Sequence, residues 1–119
     1  MSTRCIIEFK HSGESHLIYQ HWDGYPEHTI PRIKEFLVWN KTRNDDLSYS
    51  VANFILWAKL NDHVLMSHDD EPKSIEAILN EPDTNDNMYT GYGILKNTDM
   101  FGIEYHYIVN LETLEIEIK

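Results

Sequence analysis

Apolar and polar residues alternate at both ends of this chain and recur every three or four positions in its middle. Cys5, Ile7 and Phe9 alternate with Arg4, Ile6 and Glu8, which predicts a strand over residues 3–9. His11-Ser12-Gly13-Glu14 supplies a turn, and residues 15–20 return as a second strand, with Leu17 and Tyr19 on one face and His16 and Ile18 on the other. Asp23-Gly24 and Pro26 end that strand, because Asp bonds nearby backbone, Gly accepts positive φ and Pro fixes φ. Gly24 is the expected positive-φ residue and Asp23 the expected acceptor of an Asx turn.

Thr29 can cap a first helix that tolerates Pro31 in its opening turn, with Ile30, Ile33, Phe36 and Leu37 as its apolar stripe. Arg32, Lys34, Lys41 and Arg43 are expected on or near its exposed side. After a polar connection over 40–46, Asp45 or Asp46 can cap a second helix over 47–60. Val51, Ala52, Phe54, Ile55, Ala58 and Leu60 give it a wide buried face. Residues 63–66 are short and ambiguous. Asp69-Asp70-Glu71-Pro72 reads as a helix start, and Ile75, Ile78 and Leu79 anchor a short third helix ending before Pro82. Residues 83–87 form a polar loop.

The last third returns to period two. Residues 89–96 contain Gly91 and Gly93, which fall on one face of a strand and imply close packing there. Residues 103–110 alternate Ile103, Tyr105, Tyr107 and Val109 against Glu104, His106 and Ile108, and Leu114, Ile116 and Ile118 alternate with Glu115 and Glu117. The pattern predicts one α+β domain over residues 1–119. A hairpin, two or three helices and a three-stranded meander make a single antiparallel sheet of about five strands with the helices packed on one face.

Charge narrows the partners. The chain carries ten basic and twenty acidic residues, a net −10. Residues 1–43 are near neutral, with six bases and five acids, whereas residues 44–119 hold four bases and fifteen acids. A negative surface repels phosphates, so direct duplex nucleic-acid binding is disfavoured. The acids read first as a solubilising surface; the partner they would suit is a protein with a basic surface, and self-association is expected through an exposed strand edge or aromatic patch. Cys5 is the single cysteine, set in the apolar run Cys5-Ile6-Ile7, and reads as a core residue rather than a nucleophile. No apolar stretch has signal-peptide or membrane-spanning length, so a cytoplasmic protein without membrane contact is expected.

Candidate chemistry gathers where the second strand meets the first helix. Tyr19, His21, Trp22, Asp23 and Tyr25 are candidate ligand-binding residues, with His21 as a possible general base and Asp23 as its orienter. His21, Asp23 and His28 could also contribute to a metal site, but a structural reading is preferred, in which Asp23-Gly24 makes the turn, Trp22 and Tyr25 pack and His21 bonds a backbone carbonyl. A second pair, Glu104 and His106, shares one strand face. If it met the first motif, His21, Asp23, Glu104 and His106 would make a hydrolase-like constellation. If it did not, both residues would be ordinary solvent-side positions. His68-Asp69-Asp70-Glu71 lacks the glycine and distal glutamate of a calcium loop, and Gly91-x-Gly93 lacks the third glycine of a dinucleotide motif. No metal or cofactor is assigned.

Ser2-Thr3-Arg4 followed by Tyr19, His21, Asp23, Gly24, Tyr25, Pro26 and Glu27 resembles a family of small uncharacterised phage and prokaryotic proteins with a Tyr-x-His-x-Asp-Gly-Tyr-Pro motif. Thr90-Gly91-Tyr92-Gly93 and Glu104-Tyr105-His106-Tyr107-Ile108-Val109 look similar too, so the resemblance spans most of the chain. The family position before His21 is often Arg; Gln20 here removes a cation and argues against phosphate binding. The resemblance implies a phage or mobile-element origin and no transferable activity. The expected function is a small acidic interaction protein acting on a host nucleic-acid-handling or defence system. The alternative is a small metal-assisted or acid–base hydrolase acting on a nucleotide or similar small molecule.

Overall fold

The computed structural model describes residues 3–65, 75–80 and 91–119. Strand β1 (Cys5–His11) and strand β2 (Glu14–Gln20) form the expected hairpin. Ser12 and Gly13 turn it with φ of 52° and 81°, the pair of positive values whose twist matches a two-residue hairpin. Helix α1 (Pro26–Trp39) and helix α2 (Leu47–Leu65) follow, then the short helix α3 (Ile75–Asn80). Strands β3 (Tyr92–Leu95), β4 (Tyr105–Asn110) and β5 (Glu115–Ile118) complete the sheet. The helix start expected at 69–72 and the loop expected at 83–87 lie outside the described residues.

The sheet is mixed rather than antiparallel. Its strand order is β3-β2-β1-β4-β5, and β1 pairs with β4 in parallel. The expected meander is therefore replaced by a β4–β5 hairpin on one side of β1, with β3 on the far side beside β2. Burial accounts for this choice. β1 is buried at Cys5, Ile6, Ile7 and Phe9 and takes the centre, while four-residue β3, with Gly93 and an exposed Ile94, takes an edge.

Cross-strand register puts Cys5, Ile7, Phe9, Ile18, Tyr107 and Val109 on one face, where they pack with Ile33, Phe36 and Leu37 of α1 and Leu47, Val51, Phe54 and Ala58 of α2. Phe36 meets Phe54 edge-on at 5.1 Å between centroids, and Phe9 lies 5.9 Å from Phe36, so three rings join both helices to the central strand. Burial of Cys5 raises its thiol pKa to about 12, in keeping with a core residue.

Several local expectations shift. α1 starts at Pro26 with Tyr25 as N-cap, not at Thr29, because Pro at the first helical position loses no intrahelical bond. Thr29 is buried, and its hydroxyl donates to the Asp23 carbonyl at 3.0 Å. Pro31 consequently lies inside the helix. α2 continues to Leu65, and its buried face is Leu47, Val51, Phe54, Ala58 and Asp62, which leaves Ala52 exposed and Leu60 39% exposed. Asp46, one of the two expected caps, accepts a bond from the Tyr49 amide at 3.1 Å. At Gly91 a Cβ would come within 2.6 Å of the Trp22 ring, as close packing requires, but Gly93 has open space.

Candidate functional site

The strand-to-helix turn differs from the expected Asx turn. Asp23, not Gly24, has positive φ, at 55°. Among the described residues no hydrogen bond reaches its carboxylate; its carbonyl is the group that is used. Gly24 is required for space: a Cβ there would sit 2.8 Å from both the Cys5 Cβ and the Thr3 carbonyl oxygen. Its N–H donates to that same oxygen at 2.8 Å, and Tyr107 Oη donates to its carbonyl at 2.6 Å. The turn is thereby clamped to β1 and β4.

On the sheet face away from the α1–α2 core, Ile6 is the register partner of Tyr19 on one side and His106 on the other. One step outward, the amides of Glu104 and Tyr105 both donate to the Arg4 carbonyl, which sets Glu104 beside Arg4. Alternation places His21 on the same face as Tyr19. The two candidate pairs therefore reach one face through His21, Glu104 and His106, but β1 stands between them. Two strand spacings separate β2 from β4, roughly 10 Å.

Each imidazole has its own partner. Tyr19 Oη and His21 Nδ1 lie 2.5 Å apart, and the His21 ring meets Trp22 edge-on at 4.7 Å. His106 Nε2 lies 2.8 Å from Glu8 Oε1, with both side chains about seven-eighths buried, so His106 is not the solvent-side residue that strand alternation suggests. Asp23 acts elsewhere: its charge, with that of Asp62, raises the pKa of His28 against the stronger lowering effects of burial and Arg32. Tyr25 follows it, with its ring 5.9 Å from His28. β1 thus runs between His21 and the Glu104/His106 pair, and among the described residues no side-chain hydrogen bond joins the two. Among the described residues no three His, Cys, Asp or Glu side chains are grouped to hold a metal ion.

Burial, then the Arg4 charge, lowers the His21 pKa, and burial, then Arg32, lowers that of His28. Both groups are more basic in the unfolded chain, which then binds more protons. Their stabilising contribution is present above about pH 6.5 and is lost as pH falls through their depressed native values. Thermal melts between pH 7 and 5 should show a falling midpoint, with a shallower slope in a His21→Gln/His28→Gln variant. An unchanged slope would exclude these residues as its source.

A second polar cluster lies between the helices, where sequence pattern placed Arg32 on an exposed side. The Arg32 side chain is only 10% exposed. Its Nη1 lies 2.6 Å from Asp62 Oδ1 and 3.3 Å from His28 Nε2, and its Nη2 donates to the Ala58 carbonyl at 2.7 Å. The guanidinium carbon stands 5.6 Å from the Trp57 ring centroid and 5.9 Å from that of Tyr92. Tyr92 Oη donates to the second Asp62 oxygen at 2.5 Å. A buried cation cannot remain uncompensated, and Asp62, on the core face of α2, compensates it. Arg32 Nε and Gln20 Oε1 are buried without a partner, while Gln20 Nε2 donates to the Trp22 carbonyl. The cluster ties α1, α2 and β3 together.

The rim of the sheet beyond β4 is acidic. Glu112, Glu115 and Glu117 are exposed, and a depression of about 160 Å³ lies between Lys10, Ile108, Asn110, Glu115 and Glu117. Among the described residues no helix is long and apolar enough to cross a membrane. No protein-family model, curated protein or solved structure matches the chain.

Proposed function

We propose that this chain is an acidic interaction protein that docks the β5 side of its sheet on the basic surface of a protein partner. The observation that carries the reading is the division of the catalytic candidates. His21 is engaged by Tyr19 and His106 by Glu8 on opposite sides of β1, and among the described residues no hydrogen bond joins the Asp23 carboxylate to either. A hydrolase needs such groups to converge on one reacting atom. A docking surface needs only an accessible excess of one charge at an edge, and exposed Glu115 and Glu117 of β5 provide it, with Lys10 beside them. A protein that handles host nucleic acid has the complementary basic surface, which fits the resemblance to phage and mobile-element proteins. Occupying that surface would exclude the nucleic acid.

The test is competitive capture. Immobilised protein should retain nucleic-acid-binding proteins from a bacterial lysate at low salt and release them to excess duplex DNA or to 0.5 M salt. Glu115→Lys/Glu117→Lys should abolish retention without changing the melting temperature by more than a few degrees, because both residues are exposed. Retention unaffected by DNA, salt and the double reversal would refute the proposal.

A further inference from the structure

α2 carries two apolar faces. One, with Val51, Phe54 and Ala58, packs on the sheet. At about 100° per residue, Tyr49, Leu56 and Leu60 fall within an arc of roughly 40° on the opposite side of the helix. These three side chains are 55%, 53% and 39% exposed, and the exposed Ala52 adjoins them. A helix that is apolar on both faces is ordinarily buried on both.

We infer that a second copy of this chain covers the outer face of α2, the two helices running antiparallel about a twofold axis. Charge distribution favours a copy over a charged partner. The chain has twenty acidic residues, yet residues 47–61 contain none, and Lys59 is their single charged side chain. A protein of net −10 repels itself across most of its surface, and this stretch is where two copies can approach without opposing carboxylates. Contact centres are depleted of charge in the same way.

The stripe also fits its own inverse. A twofold axis midway along it sets Tyr49 against Leu60 of the partner subunit, and Leu56 against Ala52 of the partner subunit. The small Ala52 admits Leu56 and permits close helix approach. Two cations adjoin the stripe: Arg43 stacks on the Tyr49 ring at 4.6 Å, and Lys59 falls toward the partner subunit's helix N-terminus, where Asp45 and Asp46 lie, so both charges beside the stripe are basic and have acids within reach. Such an isologous contact closes on itself and stops at two copies. It leaves the β5 side of both copies free and is independent of the docking proposed above.

Sedimentation equilibrium of the full chain over a hundredfold concentration range tests this. The expected result is a reversible rise from the 14.1 kDa monomer to twice that mass. Leu56→Lys, which places like charges beside the axis, and Leu60→Glu, which sets a carboxylate against Tyr49 of the partner subunit and near Asp45 and Asp46 of the partner subunit, are both at exposed positions and should each raise the dissociation constant at least tenfold. The Glu115→Lys/Glu117→Lys variant should dimerise like the parent. Melting curves at low concentration identify any variant that loses its fold, and Leu56→Gln, a milder change at the same site, then takes its place. A monomer at every concentration, or a dimer indifferent to substitution at Leu56 and Leu60, overturns the inference.

Discussion

Replacing Asp62 with alanine is expected to destabilise the protein by about 3–5 kcal/mol, the range for removing one partner of a buried ion pair. The loss exceeds that of one contact because Asp62 serves two groups. Arg32 Nη1 lies 2.6 Å from one carboxylate oxygen, and Tyr92 Oη donates to the other at 2.5 Å. Without the carboxylate the guanidinium stays buried between Trp57 and Tyr92, with the Ala58 carbonyl and His28 as its remaining acceptors. At this chain length the melting temperature should fall by roughly 10–20 °C. Arg32→Met/Asp62→Leu should recover most of the loss, because two apolar side chains leave no uncompensated charge. Chemical denaturation of the single and double variants checks both statements. Equal losses in the two would mean that packing rather than charge compensation holds α1 to α2.

Gly24→Ala is expected to cost about 2–3 kcal/mol, toward the upper end of what overpacking costs in a filled core. The added methyl would meet the Cys5 Cβ and the Thr3 carbonyl oxygen at 2.8 Å and the Cys5 sulfur at 2.9 Å. None of these is the end of a flexible side chain. Cys5 is fully buried in the central strand, and the Thr3 carbonyl already accepts the Gly24 amide. Relief would require the turn to move off β1, which would also break the bond from Tyr107 Oη. His21→Ala should cost less than about 1.5 kcal/mol, since it removes one half-buried hydrogen bond to Tyr19. Thermal melts of the two variants separate a structural glycine from a surface histidine. Equal large losses would make His21 part of the scaffold.

The reason Gly24 matters was only half legible. The Asp-Gly-x-Pro pattern marks a turn, and the turn is there, but pattern alone places the positive φ on the glycine. The left-handed residue is Asp23, a type that tolerates this conformation, and Gly24 is needed because β1 runs directly beneath it. That requirement comes from residues 3 and 5, about twenty positions away, and no local propensity contains it. The buried Arg32 had a fainter signal. Asp62 recurs four residues after Ala58 and eight after Phe54, so it belongs to the core face of α2, and an acid on a core face needs a cation. Its partner had to come from another helix, and spacing within one helix cannot name it.

What the sequence determined by itself are the elements whose signals are local: the β1–β2 hairpin, the two long helices, the short helix near residue 75 and the strands after residue 91. Each follows from period, turn chemistry or capping within about ten residues. The tertiary structure alone decided that β4 joins β1 in parallel, that His21 and His106 stand on either side of that strand with separate partners, and that α2 keeps a second apolar face outward. The physical reason is the same in all three. Strand order and side-chain partnership depend on contacts between distant segments, and alternation tells which residues share a face without telling which strand lies next to it.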